Sequence, residues 1–321
     1  MTDSSPARTV VVLAGGISHE REVSLRSGRR VADSLLQRGH RVIMREPDSS
    51  LLSFLADTDA DIVWPALHGA SGEDGSLRAL MDAQGIAYVG SQSAAAQLAW
   101  HKPTAKVLVS RAGFATPDSI TLPRETFREL GASQVLDGVI RHLGTPLVVK
   151  PAMGGSAQGV TVVESADELP RAVVDAYTYG ETALIERKVL GTEISVGVLD
   201  TGEGPTALPA VEIVPRSGVY SYEARYNAGE TQFYTPARLD DRAAAAAAEA
   251  ALGIHAALGL RHISRVDLIV DAEGTPWFLE VNVLPGLTET SLVPQGIVAA
   301  GLDLGAVYEA LGEAAIRDAR A

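Results

Sequence analysis

Apolar residues come in short unbroken runs over the first hundred positions and in alternation with polar ones near residue 270. The two patterns predict different kinds of sheet. Thr9-Val-Val-Val-Leu-Ala14 reads as a buried strand, followed by Gly15-Gly16 and a helix over about residues 18–38 that Gly39 stops. His40 to Arg45, Asp61 to Leu67 and Ile86 to Val89 read as further strands, with a helix over 76–84. Strand, helix and strand in this order predict an open parallel α/β domain over residues 1–98. Functional loops in such sheets lie beyond the carboxyl ends of strands, which singles out Gly15-Gly16 and the stretch from His68 to Gly75.

Past residue 98 the pattern changes. A helix is expected near residues 94–112, carrying Lys102 and Lys106, then a linker punctuated by Pro117 and Pro123. Strands are expected at 146–150, 160–164, 182–186, 193–199 and 205–213, then a long loop over 215–236. The Ala243–Ala248 tract favours a helix over 240–258. This order predicts mixed or antiparallel sheets, an α+β part divided as 99–185 and 186–321.

The clearest alternation is the hairpin from Arg265 to Asn282. Successive side chains of a strand point to opposite faces, so Arg265 and Asp267 share one face, as do Phe278, Glu280 and Asn282. Asp271-Ala-Glu-Gly274 is turn chemistry, and a two- or four-residue connection places Arg265 opposite Glu280. The other face then holds Val266, Leu268 and Val270 against Trp277, Leu279 and Val281. Two carboxylates and an amide, all oxygen donors on a rigid sheet, suit Mg²⁺ and a nucleotide phosphate. A solvated face with surface ion pairs would share the pattern.

Other motifs carry chemistry beside a plainer role. The loop Gly154-Gly-Ser-Ala-Gln-Gly159 offers mobile backbone N–H groups that can cover a triphosphate, with Lys150 just before it; a ligand-free glycine turn reads the same. It is not a Walker loop, because Val160 occupies the lysine position. Gly202-Glu-Gly204-Pro-Thr-Ala207 matches a dinucleotide fingerprint only formally. It precedes a strand and reads as a hairpin turn. His68 ends a buried strand, Glu20 opens the first helix, and Glu186 and Glu193 flank a short connection that can hold ribose hydroxyls. Pro285-Gly286 follows the hairpin, where the Gly286 N–H can donate to an oxyanion.

Composition narrows the classes. At 321 residues the chain can form two or three domains, and with no cysteine it has neither disulfides nor thiolate metal sites, compatible with a reducing cytoplasm. The first residues show no signal-peptide pattern, and no apolar run reaches membrane-spanning length. The 27 basic against 40 acidic residues give −13, which argues against non-specific nucleic-acid binding. An anionic substrate then needs locally placed cations.

Together these pieces resemble the D-alanine–D-alanine ligases of the ATP-grasp superfamily. The motifs are Gly15-Gly-Ile-Ser-His-Glu20-Arg-Glu-Val-Ser-Leu25, Ala66-Leu-His-Gly69 with Gly72-Glu-Asp-Gly75, and Val149-Lys-Pro151. They continue with Tyr222-Glu-Ala-Arg-Tyr226, Glu230-Thr-Gln232, Glu280-Val-Asn282, Pro285-Gly286 and Ser291-Leu-Val-Pro294. The resemblance runs from Val10 to about residue 310. It implies an α/β N-terminal domain followed by two ATP-grasp subdomains, and an enzyme joining two D-alanines with ATP for peptidoglycan precursors. It also implies a cytoplasmic homodimer and two Mg²⁺, for which Mn²⁺ can substitute.

By resemblance, Asp267, Glu280 and Asn282 are the metal ligands, and Lys102 and Lys150 contact phosphates, with Arg225 at the terminal phosphate. Glu186, Arg187 and Val189 hold the adenine, and Glu193 the ribose. Glu20, Ser156 and Tyr226 form a triad that receives the ammonium of the first D-alanine, near His68. Arg265 and the Gly286 N–H face the reacting carboxylate, and Ser291 and Leu292 form the second D-alanine pocket. Departures from the family pattern are His101 for an acidic residue, Met153-Gly154 for a charged pair, Ala157 for serine, Arg225 for lysine and Val283 for threonine. Tyr226 favours an amine as second substrate over D-lactate. D-serine, L-amino acids or a silent nucleotide-binding regulator are the rival readings, the last opposed by intact Asp267, Glu280, Asn282 and Arg265.

Overall fold

The computed structural model describes residues 6–320 except residue 228, together with the backbone but not the side chain of Tyr226. Three sheets follow one another along the chain. The first is parallel, with β1 (Thr9–Leu13) between β2 (Arg41–Arg45) and β3 (Ile62–Pro65). The apolar run of β1 is buried on both faces. Val10 and Val12 pack with Trp64 under helices Arg21–Gln37 and Leu304–Asp318, while Val11, Leu13 and Val63 pack under Leu51–Asp57. The last helix therefore returns to the first sheet, where Tyr308 meets Trp64 edge-on at 5.3 Å. The strand expected over 86–89 is only a single parallel bridge, Val63 to Tyr88.

The helix expected near 94–112 is two helices, Ser93–Trp100 and Lys102–Arg111. Pro103 disfavours helical backbone at the residue before it and has no N–H to donate. His101 turns extended, and its Nδ1 caps the second helix by accepting from the Thr104 N–H at 3.3 Å. Burial, reinforced by Lys102, lowers the His101 pKa, which keeps that nitrogen an acceptor. An imidazole thus does the capping that an acidic residue would do there.

The second sheet is antiparallel, in the order β4 (Ser119–Pro123), β7 (Thr182–Arg187), β5 (Leu147–Pro151), β6 (Thr161–Val163). The expected linker at 117–123 is therefore a strand in part. Pro123 is tolerated because it ends an edge strand. The third sheet runs β11 (Thr231–Tyr234), β10 (Val211–Pro215), β8 (Thr192–Leu199), β12 (Ile263–Val270), β13 (Pro276–Asn282), with β9 (Thr206–Ala207) folding back on β8. That last pairing makes residues 200–205 a hairpin turn, so the dinucleotide match carries no ligand site. The expected loop over 215–236 contains a short helix, Tyr222–Tyr226, and β11.

The β12–β13 register differs from the one expected. The connection is a three-residue loop, with the Gly274 N–H donating to the Asp271 carbonyl at 3.1 Å and Gly274 at φ +81°. A bulge between Asp267 and Leu268 on the β12 ladder then leaves Leu279 unpaired. Asp267 consequently faces Glu280, and Arg265 faces Asn282. The three-residue loop pairs Phe278 with Leu268 in the core and turns Leu279 to the polar side, and the bulge then returns Glu280 to the face of Asp267. Below the sheet, Ile194, Val196, Val266 and Phe278 pack on Ala243, Ala247, Ala250 and Ala251 of helix Asp241–Ala257. Small side chains allow that helix to lie close to the strands, which accounts for the alanine tract.

Candidate active site

Alternation in the third sheet builds one polar face. Ser195 on β8 faces Asp267 on β12, which faces Glu280 on β13; Glu193 and Asn282 extend the row. Two carboxylates opposite each other on one face repel, and cations gather around them. Arg265 grips Asp267 with Nε to Oδ1 at 2.9 Å and Nη2 to Oδ2 at 2.8 Å, and Ser195 Oγ donates to Oδ1 at 2.5 Å. Lys102 Nζ lies 3.1 Å from Glu280 Oε2 and donates to the Gly154 carbonyl at 2.6 Å. Burial pushes the Glu280 carboxyl up, but Lys102, Lys150, Arg225 and Arg265 outweigh it and hold it at about 2. Glu280 is therefore ionised.

Two adjoining cavities open above this face. One, of about 500 Å³, is lined by Glu20, His68, Ser156, Arg265, Asn282, Gly286, Ser291 and Leu292. The other, of about 370 Å³, lies between the second and third sheets and is lined by Lys150, Glu186, Arg187, Val189, Glu193 and Asp267. Lys102, Gly154, Gly155, Tyr220, Arg225 and Glu280 belong to both walls and mark the passage between them. Every site residue expected from the sequence lines one of these cavities except Tyr226, whose side chain lies outside the described residues.

In the larger cavity Ser156 Oγ donates to Glu20 Oε1. Ser156 and Ala157 both hold left-handed backbone, φ 53° and 55°, in the loop after β5. That conformation costs a non-glycine residue free energy, so the turn is held by its surroundings. His68 is buried and faces Ser27 Oγ at 3.3 Å; burial lowers its pKa, only partly opposed by Glu20, and it is neutral. The Gly286 N–H and Arg265 Nη1 have no protein partner among the described residues. A Cβ on Gly286 would sit 2.8 Å from Ser291 Oγ, so a larger residue there would displace the Ser291 hydroxyl. Ser291 Oγ in turn accepts from the Thr288 N–H at 3.0 Å.

In the smaller cavity Glu186 is wholly buried and each of its oxygens meets a lysine, Lys106 Nζ on Oε1 and Lys150 Nζ on Oε2, both at 2.5 Å. Burial raises the Glu186 pKa, yet the two ammoniums outweigh it and lower it. Glu193 shows the opposite balance: burial, with Asp267 and Glu280 nearby, raises it to about 7 against the pull of Arg225. Arg225 stacks 4.2 Å over the Tyr220 ring.

A family model described as D-ala D-ala ligase C-terminus matches residues 108–311. The D-alanine–D-alanine ligase of Anaeromyxobacter sp. (strain K) is 42% identical over 297 residues, covering 92% of this chain and 92% of its own. This chain belongs to the D-alanine–D-alanine ligase family. The ligase of Halalkalibacterium halodurans is 39% identical over 295 residues, 91% of this chain and 94% of its own. Among solved structures, the D-alanine–D-alanine ligase of Bacillus anthracis superposes with a TM-score of 0.83 at 28% identity, over 98% and 99% of the two chains. Its complex with ATP gives 0.80 at 26%, over 98% and 99%. The fold is that of this ATP-grasp ligase family.

Four residues in or directly behind the walls of these cavities were not among the expected site residues. Ser195 was readable, since it alternates with Glu193 toward the polar face. Lys106 follows Lys102 by four residues on one helix face, a weaker signal. Tyr220 carried none. Glu73, inside Gly72-Glu-Asp-Gly75, is buried in the larger cavity wall, where burial and Glu20 push its carboxyl up to about 8 despite the Gly69 N–H it accepts at 3.0 Å.

Proposed function

We propose that this ligase joins two D-alanine molecules with ATP through an acyl phosphate, giving D-alanyl-D-alanine, ADP and phosphate. The observation that carries this reading is the meeting of the two cavities at Lys102, Gly154–Gly155, Arg225 and Glu280. A nucleotide in the smaller cavity would present its terminal phosphate at the passage, where a carboxylate in the larger one can reach it. Glu20, held by Ser156, receives the ammonium of the first D-alanine, and Arg265 Nη1 receives its carboxylate. A carboxylate oxygen attacks the γ-phosphorus and ADP leaves, with Lys102, Lys150 and Arg225 balancing the charge in transit. The amine of the second D-alanine, placed by Ser291 and Leu292, then attacks the acyl carbon. Arg265 Nη1 and the Gly286 N–H stabilise the tetrahedral oxyanion, which expels phosphate as the new amide loses its proton.

Asp267, Glu280 and Asn282 fit Mg²⁺. No group of three or more His, Cys, Asp or Glu suited to a metal occurs among the described residues. Mg²⁺ nonetheless takes one or two carboxylates and fills its shell from water and substrate phosphates. When bound there it would supply charge neutralisation to the phosphates.

The test is phosphate release with Mg-ATP and D-alanine, L-alanine, D-serine or D-lactate, with products identified by mass spectrometry. D-Alanine alone should give the dipeptide. Absence of any product from D-alanine would refute the assignment.

A further inference from the structure

We propose that Lys106, which lines neither cavity, is a positioning residue for ATP: by occupying one oxygen of Glu186 it leaves Lys150 as surplus positive charge at the floor of the nucleotide cavity. The proposal rests on the reading of that cavity as the ATP site.

The helix Lys102–Arg111 delivers two lysines four residues apart. Lys102 reaches the passage between the cavities, whereas Lys106 turns inward, where it is 4% exposed and donates to the Pro117 carbonyl at 2.8 Å and to Glu186 at 2.5 Å. Glu186, 2% exposed, is thereby shared between two ammoniums. One carboxylate with two lysines carries a net charge of +1. Burying a third charge beside a pair that was already neutral adds desolvation cost without completing a new pair. The surplus makes sense if an anion arrives from the open side. That side is the nucleotide cavity, which Lys150 lines and Lys106 does not. With Lys106 neutral, Lys150 and Glu186 would cancel, and the ammonium would be held by Glu186, its direct contact, ahead of Glu193 and Glu280, whose fields it also feels. The Glu186 side chain is consumed by the lysines, so the base would be met by the backbone that follows it.

The experiment is calorimetric titration of ATP, ADP and adenosine into wild-type protein, Lys106→Met, Lys106→Arg and the double variant Lys106→Met/Glu186→Gln. A unit charge on the order of 10 Å from a phosphate, at an effective dielectric of about 20, corresponds to a change in affinity of about 10- to 20-fold. Lys106→Met should therefore weaken ATP and ADP by about 10- to 20-fold and adenosine by less than about twofold. Lys106→Arg should stay near wild type. The double variant restores a net charge of +1 and should recover most of the ATP affinity. Because it buries no unpaired carboxylate, it also serves if Lys106→Met fails to fold. Equal losses for ATP and adenosine, unchanged ATP binding in Lys106→Met, or no recovery in the double variant would each overturn the proposal. Wild-type protein that binds no ATP would instead overturn the reading of the cavity, and this proposal with it.

Discussion

Arg265→Lys keeps the charge of the site and removes its geometry. The Arg265 guanidinium spends Nε and Nη2 on the two oxygens of Asp267, at 2.9 and 2.8 Å, and this fixes the plane in which Nη1 points. A lysine ammonium has one nitrogen and a flexible stem, so it cannot pair both oxygens and still present a fixed donor to the cavity. Asp267 would retain the Ser195 hydroxyl, which limits the damage to the fold. The loss should equal one oxyanion donor, about 2.7–4 kcal/mol, or roughly 10²–10³ in kcat. Arg265 lines the larger cavity and not the nucleotide one, so KM for ATP should stay within about threefold of wild type, the charge being conserved. ADP release coupled to NADH oxidation at saturating D-alanine measures both constants. A kcat within threefold of wild type would show that Nη1 is not the donor. A matching rise in KM for ATP would move the residue to the phosphate side.

Three further outcomes follow from the geometry. Glu280→Ala, or wild-type protein stripped with EDTA, should lose Mg-dependent turnover while circular dichroism stays unchanged; near-wild-type activity in the variant would remove Glu280 from the metal set. Glu73 is protonated when folded up to about pH 8 but titrates near its ordinary 4.5 when unfolded, so between those values only the folded chain holds the proton and stability falls as pH rises. The loss should be a few kcal/mol, with on the order of 5 kcal/mol as its ceiling, and urea titrations from pH 5 to 8 should give a flatter profile for Glu73→Gln than for wild type. Gly253→Ala lies inside helix Asp241–Ala257, where propensity alone would stabilise by about 1 kcal/mol. The added methyl would meet the Phe114 ring, so unfolding should show a net loss of about 1–3 kcal/mol, and a gain would refute the packing argument.

The fold class and most of the charged residues of both cavities were legible because they depend on alternation and strand-end position, which are local properties of the chain. Asp267 and Glu280 share a face only because the bulge at Leu279 restores the alternation that the three-residue loop shifts by one residue. Which of them faced the other was not local. It depended on a three-residue loop that moves the pairing by one residue and on the bulge at Leu279 that compensates, bringing Glu280 opposite Asp267 and Asn282 opposite Arg265. The strand at 119–123 was hidden by its flanking prolines, which are acceptable only because it lies at a sheet edge. Lys106 was hidden for a different reason. Its role exists only through Glu186, eighty residues away in sequence, and no spacing rule links the two.

A second long-range contact, on the function proposed above, would tie the two half-reactions together. Glu20 stands at the start of the first long helix, on the D-alanine side, while Ser156 belongs to the glycine-rich loop that borders the nucleotide. Their hydrogen bond joins segments 136 residues apart. Under the function proposed above, a loop held over phosphate would also fix the carboxylate that receives the ammonium, and substrate bound to Glu20 would favour that loop position in return, since coupling between two sites is reciprocal. An acyl phosphate formed at the passage is destroyed by water unless that loop is shut. On that assignment, tying the loop to the amino-acid site would make closure most favourable when the acceptor for the phosphoryl group is already present, and would disfavour ATP hydrolysis in its absence.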